Sequence, residues 1–177
     1  MTPSIDAVLI MGVSGCGKSS VGEALCLRNG AFAIEGDSFH PAANIEKMSA
    51  GIPLTDEDRA GWLDTLAAEL QKAIAAGQRP VLTCSALKLI YRERLRRAVP
   101  GLGVVFLELT RDAAAERVAT RPGHFMPASL IDSQFADLQP LEPDEAGITL
   151  DGTEDVSRLV AAAREFLERE AHGRARA

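Results

Sequence analysis

Apolar residues fall along this chain in short unbroken runs, separated by longer stretches where they recur every three or four positions. Ala7–Val13 is the first run, and it has the character of a central strand covered on both faces. Ala31–Ile34, Pro80–Cys84, Val104–Leu109 and Ile148–Leu150 repeat the pattern. Between them the helical period dominates. Gly17–Arg28 reads as a helix stopped at Asn29-Gly30, and Ala43–Ser49 as a short helix inside the polar stretch from Ser38 to Asp56. Thr55, with Asp58 three residues on, predicts a capping box that opens a long helix to about Ala76. Within it Trp62, Leu66, Leu70 and Ile74 lie four apart, which gives one apolar face, and Gly77 ends it. Lys88–Val99, Arg111–Thr120, Ala128–Leu138 and Glu154–Glu170 complete the helices, with a tail expected to fray over about residues 170–177. Strand alternating with helix predicts an α/β domain around a mainly parallel, five-stranded sheet. Neither repeats nor a convincing linker interrupt it, so residues 1–177 are read as one domain.

Composition changes this picture little, and charge narrows it. A chain of 177 residues can bury one core without staples. The net charge of −6 leaves no basic field over the surface, which argues against nucleic acid or an anionic membrane as partner. Local basic clusters remain free to bind a small anion. The cysteines Cys16, Cys26 and Cys84 are odd in number and lack metal-ligand spacing, so they read as small apolar residues. Met1–Asp6 carries an acid and no base ahead of an apolar run too short to span a bilayer. A cytoplasmic protein is expected.

The chemistry begins where the first strand ends. Gly12-Val13-Ser14-Gly15-Cys16-Gly17-Lys18-Ser19 fits the phosphate-binding loop pattern G-x-x-x-x-G-K-[ST], between an apolar strand and a helix as that motif requires. Its glycines let successive backbone N–H groups curl around phosphate oxygens, and the following helix adds its positive end. Lys18 can reach the β- and γ-phosphates of ATP, and Ser19 can ligate Mg²⁺. The loop permits kinases, motors and switches alike. A switch needs a guanine-recognition motif such as Asn-Lys-x-Asp, which is missing, and a motor usually needs a longer chain. A small kinase fits.

Three further clusters supply what a kinase needs. Asp37 follows the second strand at the carboxyl edge of the sheet, where it can orient an acceptor hydroxyl, take its proton, or hold Mg²⁺ through water; His40 is close by. Lys88, Tyr91 and Arg92 lie one helical turn apart and can offer cations to a carboxylate or a phosphate, although the spacing fits a solvated basic face equally well. Arg94, Arg96 and Arg97 read as such a face. Arg117 and Arg121 sit on a helix that breaks at Pro122-Gly123, ahead of His124, as a lid that closes over phosphates would.

Several segments together resemble the bacterial-type gluconokinases, relatives in fold of shikimate and adenylate kinases. They are Met11–Ser19, Gly36-Asp37-Ser38-Phe39-His40-Pro41, Asn44-Ile45-Glu46-Lys47-Met48, and Gly51 to Arg59 with Trp62-Leu63. Cys84-Ser85-Ala86-Leu87-Lys88 with Tyr91-Arg92, Arg121 to Met126, Gln134-Phe135 and Leu138-Gln139 complete the set. The resemblance implies a three-layer α/β/α P-loop kinase fold with a helical lid over about residues 117–140, and often a homodimer. It implies transfer of phosphate from ATP to D-gluconate with Mg²⁺. By position it implies Gly12–Ser19 for ATP, and Asp37 as base or metal partner beside Ser19. His40, Lys88 and Arg92 are implied as gluconate contacts, with Arg59 and the lid residue His124, and Arg117 and Arg121 as lid residues acting on the phosphates. Where the family usually carries Asp-Gly-Asp, this chain has Glu35-Gly36-Asp37. Other small-acid kinases, for shikimate among others, and an ATP-gated binding protein are the alternatives.

Overall fold

Strand β1 (Ala7–Met11) is buried along its whole length, and its alternate side chains feed two separate cores. Ala7, Leu9 and Met11 face one side and Val8 and Ile10 the other, as the two-residue period of a strand dictates. The computed structural model of the protein describes residues 5–29, 31–122 and 127–172. After β1 come α1 (Lys18–Asn29), β2 (Phe32–Glu35), a 3₁₀ turn (Gly36–Phe39), α2 (Ala42–Ser49), α3 (Asp56–Ala75) and β3 (Pro80–Thr83). Then follow α4 (Leu89–Ala98), β4 (Leu102–Glu108), α5 (Arg111–Thr120), α6 (Ala128–Asp137), β5 (Gly147–Asp151) and α7 (Val156–His172).

The strands form one sheet in the order β2-β3-β1-β4-β5, and every neighbouring pair is parallel. Helices α3 and α4 cover one face through Trp62, Leu66, Leu70, Tyr91 and Leu95. Helices α1, α5 and α7 cover the other through Val21, Leu25, Ala114, Leu159 and Ala163. This is the expected three-layer α/β/α sandwich. The chain leaves β1 toward β2 on one side and later fills β4 and β5 on the other. Its topological switch therefore lies at the carboxyl end of β1, where sites form in open parallel sheets.

Local signals agree with the elements that they predict. The Thr55 hydroxyl accepts from the Asp58 N–H at 3.1 Å while the Asp58 carboxylate accepts from the Thr55 N–H at 2.9 Å, a complete capping box. Strand β1 ends at Met11, two residues before the end of its apolar run, because the chain turns at Gly12 with φ +149° and sends the Gly12 N–H to the Ser85 carbonyl.

Candidate active site

The loop after β1 has no room for side chains where it bends. A Cβ on Gly12 would lie 2.6 Å from Cys16 Sγ and 2.7 Å from the Leu107 carbonyl oxygen, so only glycine fits. Helix α1 begins at Lys18 and aims its amino end at the loop. The Lys18 ammonium lies inside the curl, donating to the carbonyls of Gly12 at 2.9 Å and Val13 at 3.1 Å. Cys16 and Cys84 are buried, and burial pushes the Cys84 thiol up to about 12. Their role is packing, as expected from the sequence. Two contacts fix the loop from outside: Arg117 of α5 donates to the Gly15 carbonyl at 3.2 Å, and Gln134 of α6 accepts from the Ser14 N–H at 2.8 Å.

Beside the loop, the 3₁₀ turn carries Asp37 and His40. Gly36 at its head packs so tightly on the Thr83 carbonyl oxygen that a Cβ there has no space. The Trp62 indole donates to the Gly36 carbonyl at 2.9 Å and stacks on the His40 ring, with centroids 4.0 Å apart. The turn is thereby pinned to α3. Asp37 projects outward with a side chain 78% exposed, and His40 Nε2 lies 3.8 Å from its Oδ1. Burial lowers the His40 pKa from its ordinary 6.5, Asp37 partly opposes this, and Arg59 adds to it. The imidazole is thus neutral at pH 7 and suited to hydrogen-bonding hydroxyls.

Glu35 bridges the turn and the loop. Its Oε2 accepts from Ser19 Oγ at 2.8 Å and its Oε1 from Thr83 Oγ1 at 2.8 Å. A hydroxyl and a carboxylate side by side are hard oxygen donors, which suit Mg²⁺. Among the described residues no three His, Cys, Asp or Glu side chains group closely enough to cage a metal.

Facing this turn, cations gather around one tyrosine. Arg59 Nη1 donates to the Tyr91 hydroxyl at 2.9 Å, and the Tyr91 hydroxyl donates to Asp56 Oδ1. Lys88 Nζ donates to the same Asp56 oxygen at 2.8 Å. Asp137 of α6 approaches both cations, at 3.4 Å from Arg59 and 3.7 Å from Lys88. The hydrogen bonds from Lys88 and Tyr91 hold Asp56 below the usual carboxylate range, and the bond to Asp56 raises Lys88, so that pair is fully ionised. Helix α2 fastens this side: buried Asn44 donates to the Asp58 carbonyl at 3.0 Å, and Lys47 meets both Asp58 carboxylate oxygens at 2.8 Å. The Asn-x-x-Lys segment is therefore architectural.

Arg92 is a correction to the expected substrate contacts. It is 0% exposed, and its guanidinium is spent on Glu145, with Nε and Nη2 each at 2.8 Å, and on the carbonyls of Ala86, Leu87, Gln139 and Pro140. It holds the turn at Ala86, which has φ +44°, an uncommon conformation for a residue with a side chain. It cannot also reach a substrate. Arg96, read as solvated, also turns inward to Glu145 at 2.6 Å. Burial pushes the Glu145 carboxyl up, but Arg92, the Glu142 N–H and Arg96 outweigh it and take the pKa from 4.5 to about 2. Because the folded value is depressed, this lock stabilises above pH 4.5 and is lost as the pH falls toward 2. Glu145→Gln leaves Arg92 buried without its counter-charge and is expected to lower the unfolding free energy by about 3–5 kcal/mol. Urea denaturation at neutral pH checks this, and an unchanged midpoint contradicts the lock.

The remaining expected residues divide. Arg117 reaches the loop, while Arg121 caps the end of α5 and is exposed. His124, with Gly123, lies outside the described residues. Asp56, Gln134 and Asp137 join the site without a role that follows from the sequence. Asp56 appears only as an acid in a first helical turn, and Asp137 pairs with a residue 78 positions away, so no local pattern marks either.

Residues 8–141 match the family model described as AAA domain. The chain is 47% identical over 145 residues to a gluconokinase of Gluconobacter oxydans, covering 82% of each chain. It is 37% identical over 161 residues to the thermosensitive gluconokinase of Escherichia coli, covering 90% of this chain and 86% of that one. A solved gluconokinase from Sinorhizobium meliloti superposes with a TM-score of 0.86 at 41% identity, covering 97% of each chain. With a phosphate-binding loop motif at the carboxyl end of β1, and with relatives of this kind over most of its length, the chain belongs to the gluconokinase family of P-loop kinases.

Proposed function

We propose that the chain transfers the γ-phosphoryl group of ATP to D-gluconate, giving 6-phospho-D-gluconate and ADP. The observation that carries this is convergence: Ser19 of the loop hydrogen-bonds Glu35 at 2.8 Å, Asp37 follows Glu35 on the turn that Trp62 pins to α3, and α3 also carries Arg59. Donor, base and acceptor cation therefore share the carboxyl edge of the sheet, at β1 and β2. In this reading the loop from Gly12 to Ser19 cradles the nucleotide, with Lys18 on the β- and γ-phosphates. Arg59 and Lys88 hold the gluconate carboxylate, and His40 and Tyr91 meet its hydroxyls. Asp37 takes the proton of the attacking hydroxyl as its oxygen bonds to the γ-phosphorus and the bond to the β–γ bridging oxygen breaks. Arg117 and Arg121 neutralise the charge on the transferred group.

Mg²⁺ would be held by Ser19, with Asp37 and Glu35 beside it, and when bound it neutralises phosphate charge. The Ser19–Glu35 hydrogen bond at 2.8 Å supports Glu35 as the acid nearest that position, ahead of the more exposed Asp37. A small-molecule acceptor, rather than nucleic acid or membrane, accords with the charge of −6. The free cysteines fit a reducing, cytoplasmic setting, and the homodimer that the resemblance implies is part of the reading.

ADP release measured across D-gluconate, other aldonates and shikimate tests the assignment. Gluconate is expected to give the highest kcat/KM. Turnover with another acid and none with gluconate would overturn the choice of acceptor.

A further inference from the structure

Helix α6 touches both halves of the site. Gln134 accepts from the Ser14 N–H at 2.8 Å and donates to Ser14 Oγ at 3.0 Å, a two-point grip on the nucleotide loop. Three residues on, on the same helix face, Asp137 lies between the acceptor cations, 3.4 Å from Arg59 and 3.7 Å from Lys88. A carboxylate in the last turn of a helix opposes the helix dipole, so α6 itself gains nothing from an acid there. The two cations account for its position.

Both ends of this span are anchored. Just past α6, the Gln139 N–H donates to the Leu87 carbonyl at 2.8 Å, and Gln139 Oε1 accepts from the Leu89 N–H at 2.6 Å, on either side of Lys88. Asp132 pairs with Arg111 of α5 at 2.8 Å, and α5 carries the Arg117 that meets Gly15. Leu138 packs into both cores.

We infer that α6 is the spacer that sets donor against acceptor, with Gln134 and Asp137 as positioning residues that act through Ser14 and through Arg59 and Lys88. The inference rests on the functional reading above. Neither side chain touches reacting atoms. Together they fix where the acceptor's carboxylate anchor stands relative to the loop, and hence whether its hydroxyl meets the γ-phosphorus in line. A misplacement of about 1 Å in such a reaction costs on the order of 10²-fold in rate.

Steady-state kinetics with ATP and D-gluconate on Gln134→Ala, Asp137→Asn and the double variant test the spacer. Each single change is expected to lower kcat by about 10- to 100-fold, with both KM values within roughly threefold of the unsubstituted chain. The double variant should be no slower than the slower single, because the register is lost once either anchor goes. Losses that multiply would mean two independent contacts and would overturn the spacer. So would a higher KM for one substrate with kcat unchanged, or a loss of kcat that disappears after correction for the folded fraction measured by denaturation. If the unsubstituted chain passes no phosphate to gluconate, the functional reading fails and the spacer with it. A gluconate-active chain with multiplying losses overturns the spacer alone.

Discussion

Asp37→Asn is expected to leave nucleotide affinity intact and to lower kcat with gluconate by about 10²- to 10⁴-fold, the range for removing a positioned general base. The amide keeps the size of the carboxylate but cannot take the hydroxyl proton. The Asp37 side chain is 78% exposed and its turn is held by other groups, the Gly36 carbonyl on Trp62 and the His40 ring stacked on the same indole. The variant should therefore fold as the parent does, since an exposed change away from packing contacts is worth about 0.5 kcal/mol or less. ADP release measures kcat, and titration with a non-hydrolysable ATP analogue measures affinity. Full activity would remove Asp37 from the mechanism, and lost affinity would place it on the nucleotide side.

Lys18→Ala is expected to act on both quantities. The ammonium sits in the curl of the loop, 2.9 Å from the Gly12 carbonyl, where it can follow charge onto the phosphates. Losing a preorganised cation at such a point costs about 10²- to 10³-fold in kcat, or about 2.7–4 kcal/mol. Affinity for ATP falls as well, because the charge attracts the ground-state phosphates too. The loop itself should persist, since its shape depends on the close approach at Gly12 and on the outside grips at Ser14 and Gly15. Unchanged kinetics would contradict the assignment of the loop.

The contrast between these residues and Arg92 shows what the sequence makes legible. The nucleotide loop is encoded locally: strand, glycines, lysine and helix are consecutive, and the structure places them as read. Strands β1, β3 and β4 are equally plain, because burial on both faces demands unbroken apolar runs. The spacing of Arg92 from Lys88 leaves its direction open and the resemblance implies a substrate contact, while in the fold its direction is set by Glu145, 53 residues away. No local signal marks the 3₁₀ turn at Gly36–Phe39, since its shape is imposed by Trp62 and Thr83 from other elements. Asp56, in the first turn of α3, and the helix-ending acid Asp137 look unremarkable in sequence. They acquire meaning only when folding brings α3, α4 and α6 to one point around Tyr91.

The most direct test of the whole account is the identity of the product. The purified chain incubated with ATP, Mg²⁺ and D-gluconate should form 6-phospho-D-gluconate, one for each ADP released, as followed by phosphorus NMR. ADP accompanied by free phosphate, with no phosphate ester on the acid, would make the chain an ATP hydrolase and contradict the account.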